Sequence, residues 1–300
     1  MNVRVRRAGV LLSGLLASLL LATGCGRNIV LHPAGPVGRS EAHLIYLSII
    51  LVLIVVVPVI VLMMFIVMRY RDKPGNKAAY KPEWSENRAL EVIWWAIPIV
   101  IIGILGAATA KETYSLTKPP EQNTTPYTVE VTSLNWKWLF QYPDKNIATV
   151  NYCVIPTGRP IQFVLTANAP MNSFWVPELG GQEYTMPGMA MRLWLQADKP
   201  GTYYGHGANF TGEGFANMQF DVIAKSQSDF EAWENQVKQT APPLTETGYK
   251  NLTNPSVVSK ASYSSYPANS FMDTVMENGG KYMSQTMSTM QSLGDDAGMK

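Results

Sequence analysis

The chain is poor in the residues that perform chemistry. Of 300 residues, two are cysteine and three are histidine. Two cysteines make no disulfide framework. Cys25 closes an apolar leader, whereas Cys153 lies inside a strand-like run and reads as a small buried hydrophobe. His32, His43 and His206 are too scattered to complete a Ser–His–Asp set, and no His-x-x-x-His pair offers haem or zinc ligands from an apolar segment. No nucleotide-binding glycine fingerprint follows a strand-like run. Charged residues make up 15% and the net charge is +2, which gives no basic face for nucleic acid. There is no internal repeat. These absences exclude an evident reaction centre; if the chain serves an enzyme, the chemistry is performed by a partner.

Apolar residues, by contrast, reach 47%, and the excess lies in three blocks near the N-terminus. Arg4, Arg6 and Arg7 precede a short apolar run, residues 10–22, too short to span a bilayer. Thr23, Gly24 and Cys25 follow, with Ala22 where a lipoprotein signal usually has Leu. Residues 1–24 therefore read as a lipoprotein signal peptide, with lipid expected on Cys25. An ordinary signal peptide with an incidental cysteine is the plainer alternative. Residues 25–43 form an external N-terminal segment.

Residues 44–68 carry no charge over 25 positions, and residues 92–110 none over 19. At 1.5 Å per residue the first reaches roughly 37 Å, enough to cross a bilayer with tilt; the second is near the minimum. Two transmembrane helices are expected, each holding one proline, Pro58 and Pro98. The connecting loop, residues 69–91, carries Arg69, Arg71, Lys73, Lys77, Lys81 and Arg88. Such loops stay in the cytoplasm, which puts the C-terminal domain outside. Trp84, Trp94 and Trp95 lie near the same boundary, as aromatic anchors do. Glu91 opens the second span, where a carboxylate complements the helix dipole.

Past Pro120 the chain changes to short strand-like runs: 127–134, 149–155, 161–166, 191–196, 202–205 and 218–224, punctuated by Pro, Gly and Asn. Asn135-Trp136-Lys137-Trp138 follows the first of them. This spacing predicts a β-sandwich or barrel over residues 120–243. Residues 229–239 carry Phe230, Trp233 and Val237 at helical spacing and predict a short amphipathic helix. Residues 244–300 are polar and rich in Met, and read as a weakly ordered tail.

The domain is organised around Tyr204 to Met218, YGHGANFTGEGFANM, a glycine-rich loop closing the strands with a Met at its end. This layout resembles the cupredoxin loop of subunit II of the haem–copper respiratory oxidases. There the loop of cytochrome c-oxidising members, Cys-x-x-x-Cys-x-x-x-His-x-x-Met, holds a dinuclear copper centre. The ligand positions fall on Gly207, Thr211, Phe215 and Met218; the upstream histidine position falls on Asn172, and the backbone-carbonyl ligand on Asn209. Copper there needs soft thiolates and imidazoles, and Met218 alone keeps ligand chemistry. Frame kept and ligands gone is how the quinol-oxidising branch looks. The stretches Leu195-Gln196-Ala197-Asp198-Lys199 and Ala208 to Glu213 are closer to its Gram-positive, menaquinol-using members. His206 stands where the family has no ligand and is expected to be solvated.

The resemblance implies a membrane helix hairpin followed by an external cupredoxin-like domain without metal. It implies a subunit of a complex that oxidises membrane quinol, reduces oxygen to water and moves protons. No cofactor is expected in this chain; haems, the copper of the oxygen site and the quinol site belong to subunit I. Further small oxidase subunits and the lipid bilayer are the other expected partners, and cytochrome c is not one. Leu90-Glu91-Val92-Ile93-Trp94-Trp95-Ala96-Ile97-Pro98 resembles the family's segment at the mouth of a proton-uptake path, which gives Glu91 that role. Trp136 and Trp138 are expected to pack against subunit I. A cytochrome c oxidase subunit with a degenerate copper site, and a free-standing membrane lipoprotein with a cupredoxin cap, remain alternatives.

Overall fold

A computed structural model describes residues 28–79, 82–121 and 124–279; Cys25 and residues 280–300 lie outside the described residues. Helix α1 spans Pro36–Tyr70. Pro36 occupies its first turn, where a missing N–H costs nothing and the fixed φ suits the helix. Helix α2 spans Arg88–Leu116, and its N-cap Asn87 accepts a 3.1 Å hydrogen bond from the Leu90 amide. Both helices are exposed along their apolar lengths, as surfaces meant for lipid or another protein are. The expected spans 44–68 and 92–110 lie inside them. Each helix is longer at both ends than its charge-free run, because helical hydrogen bonding continues past the point where lipid is needed.

The extra turns of α1 attach it to the β domain. Val37 and Ala42 are buried. The Ala34 amide donates to Glu178 O at 2.7 Å, the Gly38 amide to Leu179 O at 3.0 Å, and the Asp198 amide to Ala34 O at 3.0 Å. Arg39 pairs with Asp198, and the Gly181 amide donates to the Glu41 carboxylate at 2.8 Å.

The domain is a two-sheet sandwich. Its strands are β1 Tyr127–Leu134, β2 Lys137–Tyr142, β3 Ile147–Val150, β4 Tyr152–Pro156, β5 Ile161–Ala167, β6 Asn172–Trp175, β7 Glu183–Thr185, β8 Met191–Leu195, β9 Gly201–Gly207, β10 Gln219–Lys225 and β11 Ala261–Tyr263. One sheet runs β11-β3-β2-β1-β5-β8 and the other β4-β10-β9-β6-β7. The pairs β1–β5 and β4–β10 are parallel and the rest antiparallel. Trp138, Phe140, Phe163, Phe174 and Phe220 fill the space between the sheets. Phe174 stacks on Phe220 at 4.8 Å between centroids. Each such side chain contributes about 1.5–3 kcal/mol on burial.

Three expectations are corrected here. The run 149–155 is two strands, because Asn151 takes a left-handed conformation, φ 59°, which Asn tolerates. Its side chain accepts from the Trp138 amide at 2.9 Å, so the chain leaves β3 and enters β4 in the opposite sheet. Strands β2, β6, β7 and β11 lie outside the expected runs, because they carry no long alternation. The predicted helix at 229–239 is α3, Gln227–Thr240. The chain from residue 244 to 279 is ordered: α4 spans Glu246–Thr253, β11 pairs with β3, and α5 spans Ser270–Glu277. Phe271 and Val275 of α5 are buried against Val164 and Ala190. This segment folds because a sheet edge and a sheet face await it, a partner that local periodicity does not display.

Candidate functional site

The loop from Gly207 to Met218 leaves β9 and returns through a single 3₁₀ turn, Phe215–Asn217, into β10. It is closed at its base, where the Gly207 amide donates to Met218 O at 2.9 Å. Asn172 on β6 stands opposite and is fully buried. Its Nδ2 donates to Met218 Sδ at 2.9 Å, and its Oδ1 accepts from the amides of Ser173, 2.7 Å, and Asn209, 3.1 Å. Thr211 Oγ1 reaches the same sulfur at 3.8 Å, and Ser173 Oγ donates to Asn209 Oδ1 at 2.9 Å. Gly207 is small by necessity, since a Cβ there would sit 2.7 Å from Asn172 Nδ2.

Asn172, Gly207, Asn209, Thr211 and Met218, the positions that the resemblance singles out, lie together in the structure. They satisfy one another rather than a metal. The donors offered are an amide, a hydroxyl and a thioether, and the amide is already spent on the sulfur. Dinuclear copper does not fit this set. Phe215 departs from the cluster: it is half-buried and packs edge-on against Phe210, centroids 5.7 Å apart. Phe210, at the loop tip, is 80% exposed.

Trp136 and Trp138 part company. Trp138 is fully buried between Phe174 and Phe220 and donates to Met218 O at 3.3 Å. It packs inside the domain, so a role at the surface is left to Trp136. Trp136 is half-buried and donates from Nε1 to Thr211 O at 3.0 Å. Its ring lies flat on Gly214, where a Cβ would be 2.3 Å from the indole, and beside Gly212, φ +107°. The sequence signal for this cradle was Gly212-Glu213-Gly214 within the loop, where Gly214 makes room for the ring and Gly212 takes a positive φ.

His206 is half-buried rather than solvated. Its ring lies 5.1 Å from Trp175 and 5.2 Å from Tyr204, its Nδ1 finds no hydrogen-bond partner among the described residues, and burial lowers its pKa. Cys153 is buried, its thiol pushed up to about 12 by desolvation, which makes it inert. Glu91 lies exposed in the first turn of α2, its amide donating to Asn87 O at 3.0 Å, far along the chain from the loop.

Comparison with known proteins places this architecture. The model of the cytochrome C oxidase subunit II transmembrane domain matches residues 33–110, and that of the periplasmic domain matches residues 145–225. A protein of Bacillus anthracis named quinol oxidase subunit 2 is 47% identical over 84% of this chain and 87% of its own. The quinol oxidase subunit 2 of Bacillus subtilis is 44% identical over 85% and 81%. The ubiquinol oxidase subunit 2 of Acetobacter aceti is 40% identical over 84% and 81%. The protein is thus a membrane protein with a C-terminal extracytoplasmic domain, and it belongs to the cytochrome c oxidase subunit II family, in its quinol oxidase branch.

Proposed function

We propose that the chain is the non-catalytic subunit II of a terminal oxidase that takes electrons from a membrane quinol, reduces oxygen to water and translocates protons. The observation that carries this is the Asn172–Met218 hydrogen bond, which fills the place of a copper relay with an amide. A lipid-soluble donor reaches subunit I from within the bilayer, so no external relay is needed. The haems, the copper of the oxygen site and the quinol site are assigned to subunit I. In this chain, the two helices dock on subunit I, the β domain caps it, and lipid on Cys25 adds a second anchor. Glu91 is assigned to proton supply at the cytoplasmic boundary. The half-buried Trp136 and the exposed Phe210 are offered as contacts to subunit I.

The test is purification of the native complex through this chain. Co-purifying haem, quinol-dependent oxygen uptake and no copper beyond that of the oxygen site are expected. Electron transfer from cytochrome c, or a thiolate-to-copper absorption band, would reject the reading.

A further inference from the structure

The two-residue turn between β1 and β2 is held from both sides. Trp136 covers the 207–218 loop on one side, as described above. On the other, its neighbours grip the backbone of the C-terminal segment. Lys137 Nζ donates to Leu252 O at 2.9 Å, Asn254 O at 2.8 Å and Ser256 Oγ at 2.9 Å. Asn135 Nδ2 donates to Thr253 O at 3.4 Å, and Asn151 Nδ2 to Val258 O at 2.7 Å.

Lys137 is fully buried, and among the described residues no carboxylate pairs with it. Burying an ammonium without a counter-ion is tolerated only where acceptors replace its water. Here its three N–H donors meet three acceptors. The residue is thus built around residues 252–256. Four of the five acceptors gripped by the three side chains are main-chain carbonyls: Leu252 O and Thr253 O at the open end of α4, and Asn254 O and Val258 O in the chain that follows.

We propose that Asn135, Lys137 and Asn151 form a clasp for this chain's own segment 252–258, the end of α4 and the chain after it, and that its occupancy fixes Trp136 and, through Trp136, the 207–218 loop. The link is the backbone of Trp136, which sits at φ 65°. A bulky residue there persists only when its surroundings over-determine it. The gripping residues Asn135 and Lys137 flank it directly, while Gly214 and Thr211 O hold the ring. Release of the segment frees the turn to relax and lifts the indole from Gly214. The segment thereby supports the middle of the loop, residues 211–214, while Asn172 and the Gly207 amide hold its base. The proposal does not depend on what feeds the oxidase.

The test is hydrogen exchange on the full chain in its native complex, comparing wild type with Lys137→Met. Amides of β11 and of residues 215–218 should both lose protection by about tenfold or more, the effect of losing a charge-assisted hydrogen bond. The β9–β10 ladder should keep its protection, which separates local release from unfolding. Should Lys137→Met not assemble, the double variant Asn135→Ala with Ser256→Ala keeps the ammonium and removes two of the contacts. The same paired loss is expected from it. Loss at β11 with wild-type protection at 215–218 would overturn the coupling, and unchanged protection at β11 would overturn the clasp.

Discussion

Asn172 carries the difference between a metal loop and this one. Its side chain bonds the sulfur, the Ser173 amide and the Asn209 amide together, so the loop keeps its shape with no ion. That position was reached through the resemblance to the oxidase subunit, because a motif with substituted ligands still counts off the same intervals. The environment of single residues was not legible. Lys137 gives no sign in sequence that it is buried, and Trp138 none that it faces inward while Trp136 faces out. Glu130 is a similar case. It lies on β1 beneath the C-terminal segment, in a cleft of about 340 Å³ with Asn146, Tyr266 and Ser270, and desolvation pushes its carboxyl up to about 7. A raised acid binds protons more tightly folded than unfolded, so its contribution is fully present below its ordinary value of 4.5 and is lost as pH rises to about 7. Glu41 and Glu234 are raised in the same direction, also by burial. Thermal unfolding followed by tryptophan emission should therefore give a lower Tm at pH 8 than at pH 5. Glu130→Gln should raise the value at pH 8 and reduce the difference; equal sensitivity to pH in the variant would remove Glu130 from the account.

At the scale of elements, long apolar helices and alternating strands were readable, because lipid exposure imposes a long charge-free run and a half-buried sheet imposes alternation. Short elements that exist only by docking were not. The three residues of β11 form a strand because Ala261, Ser262 and Tyr263 meet Val150, Thr149 and Ala148 across an open edge. The first turns of α1 are another docked element, and their fit is tight. Gly35 lies so close to the domain that a Cβ would stand 1.9 Å from Gln196 O, a backbone atom that does not yield. Gly35→Ala should therefore prise α1 from the domain and lower stability by about 1–3 kcal/mol, the usual cost of forcing atoms into a packed site. Gly103→Ala is the control, since nothing lies within 4 Å of a Cβ there. Thermal unfolding of both variants in detergent checks this. Equal Tm for Gly35→Ala and wild type would mean that the junction is loose.

Over the whole molecule, the helix hairpin, the basic loop and the outer domain define two chemically different ends. Lys and Arg crowd the loop between Arg69 and Arg88, and the folded domain lies beyond the opposite ends of both helices. An oxidase of this kind would consume protons from the side of the basic loop, and Glu91 is the acid that opens α2 on that side. Two accounts of Glu91 separate cleanly. As a complement to the helix dipole, it contributes about 0.3–1 kcal/mol, and Glu91→Ala should slightly lower stability with turnover unchanged. As a proton collector at a narrow mouth, it raises the local supply of protons for the reaction in the partner subunit. Glu91→Ala should then slow quinol oxidation by the fully assembled complex while haem content stays at wild-type level. Glu91→Asp should fall between the two, since a carboxylate remains near the same point. The deficit should widen as pH rises, because delivery by bulk water fails first where protons are scarce. Oxygen uptake measured across the pH range, normalised to haem, distinguishes the accounts: a profile in Glu91→Ala that superimposes on wild type leaves Glu91 a helix-start residue and moves the proton mouth elsewhere.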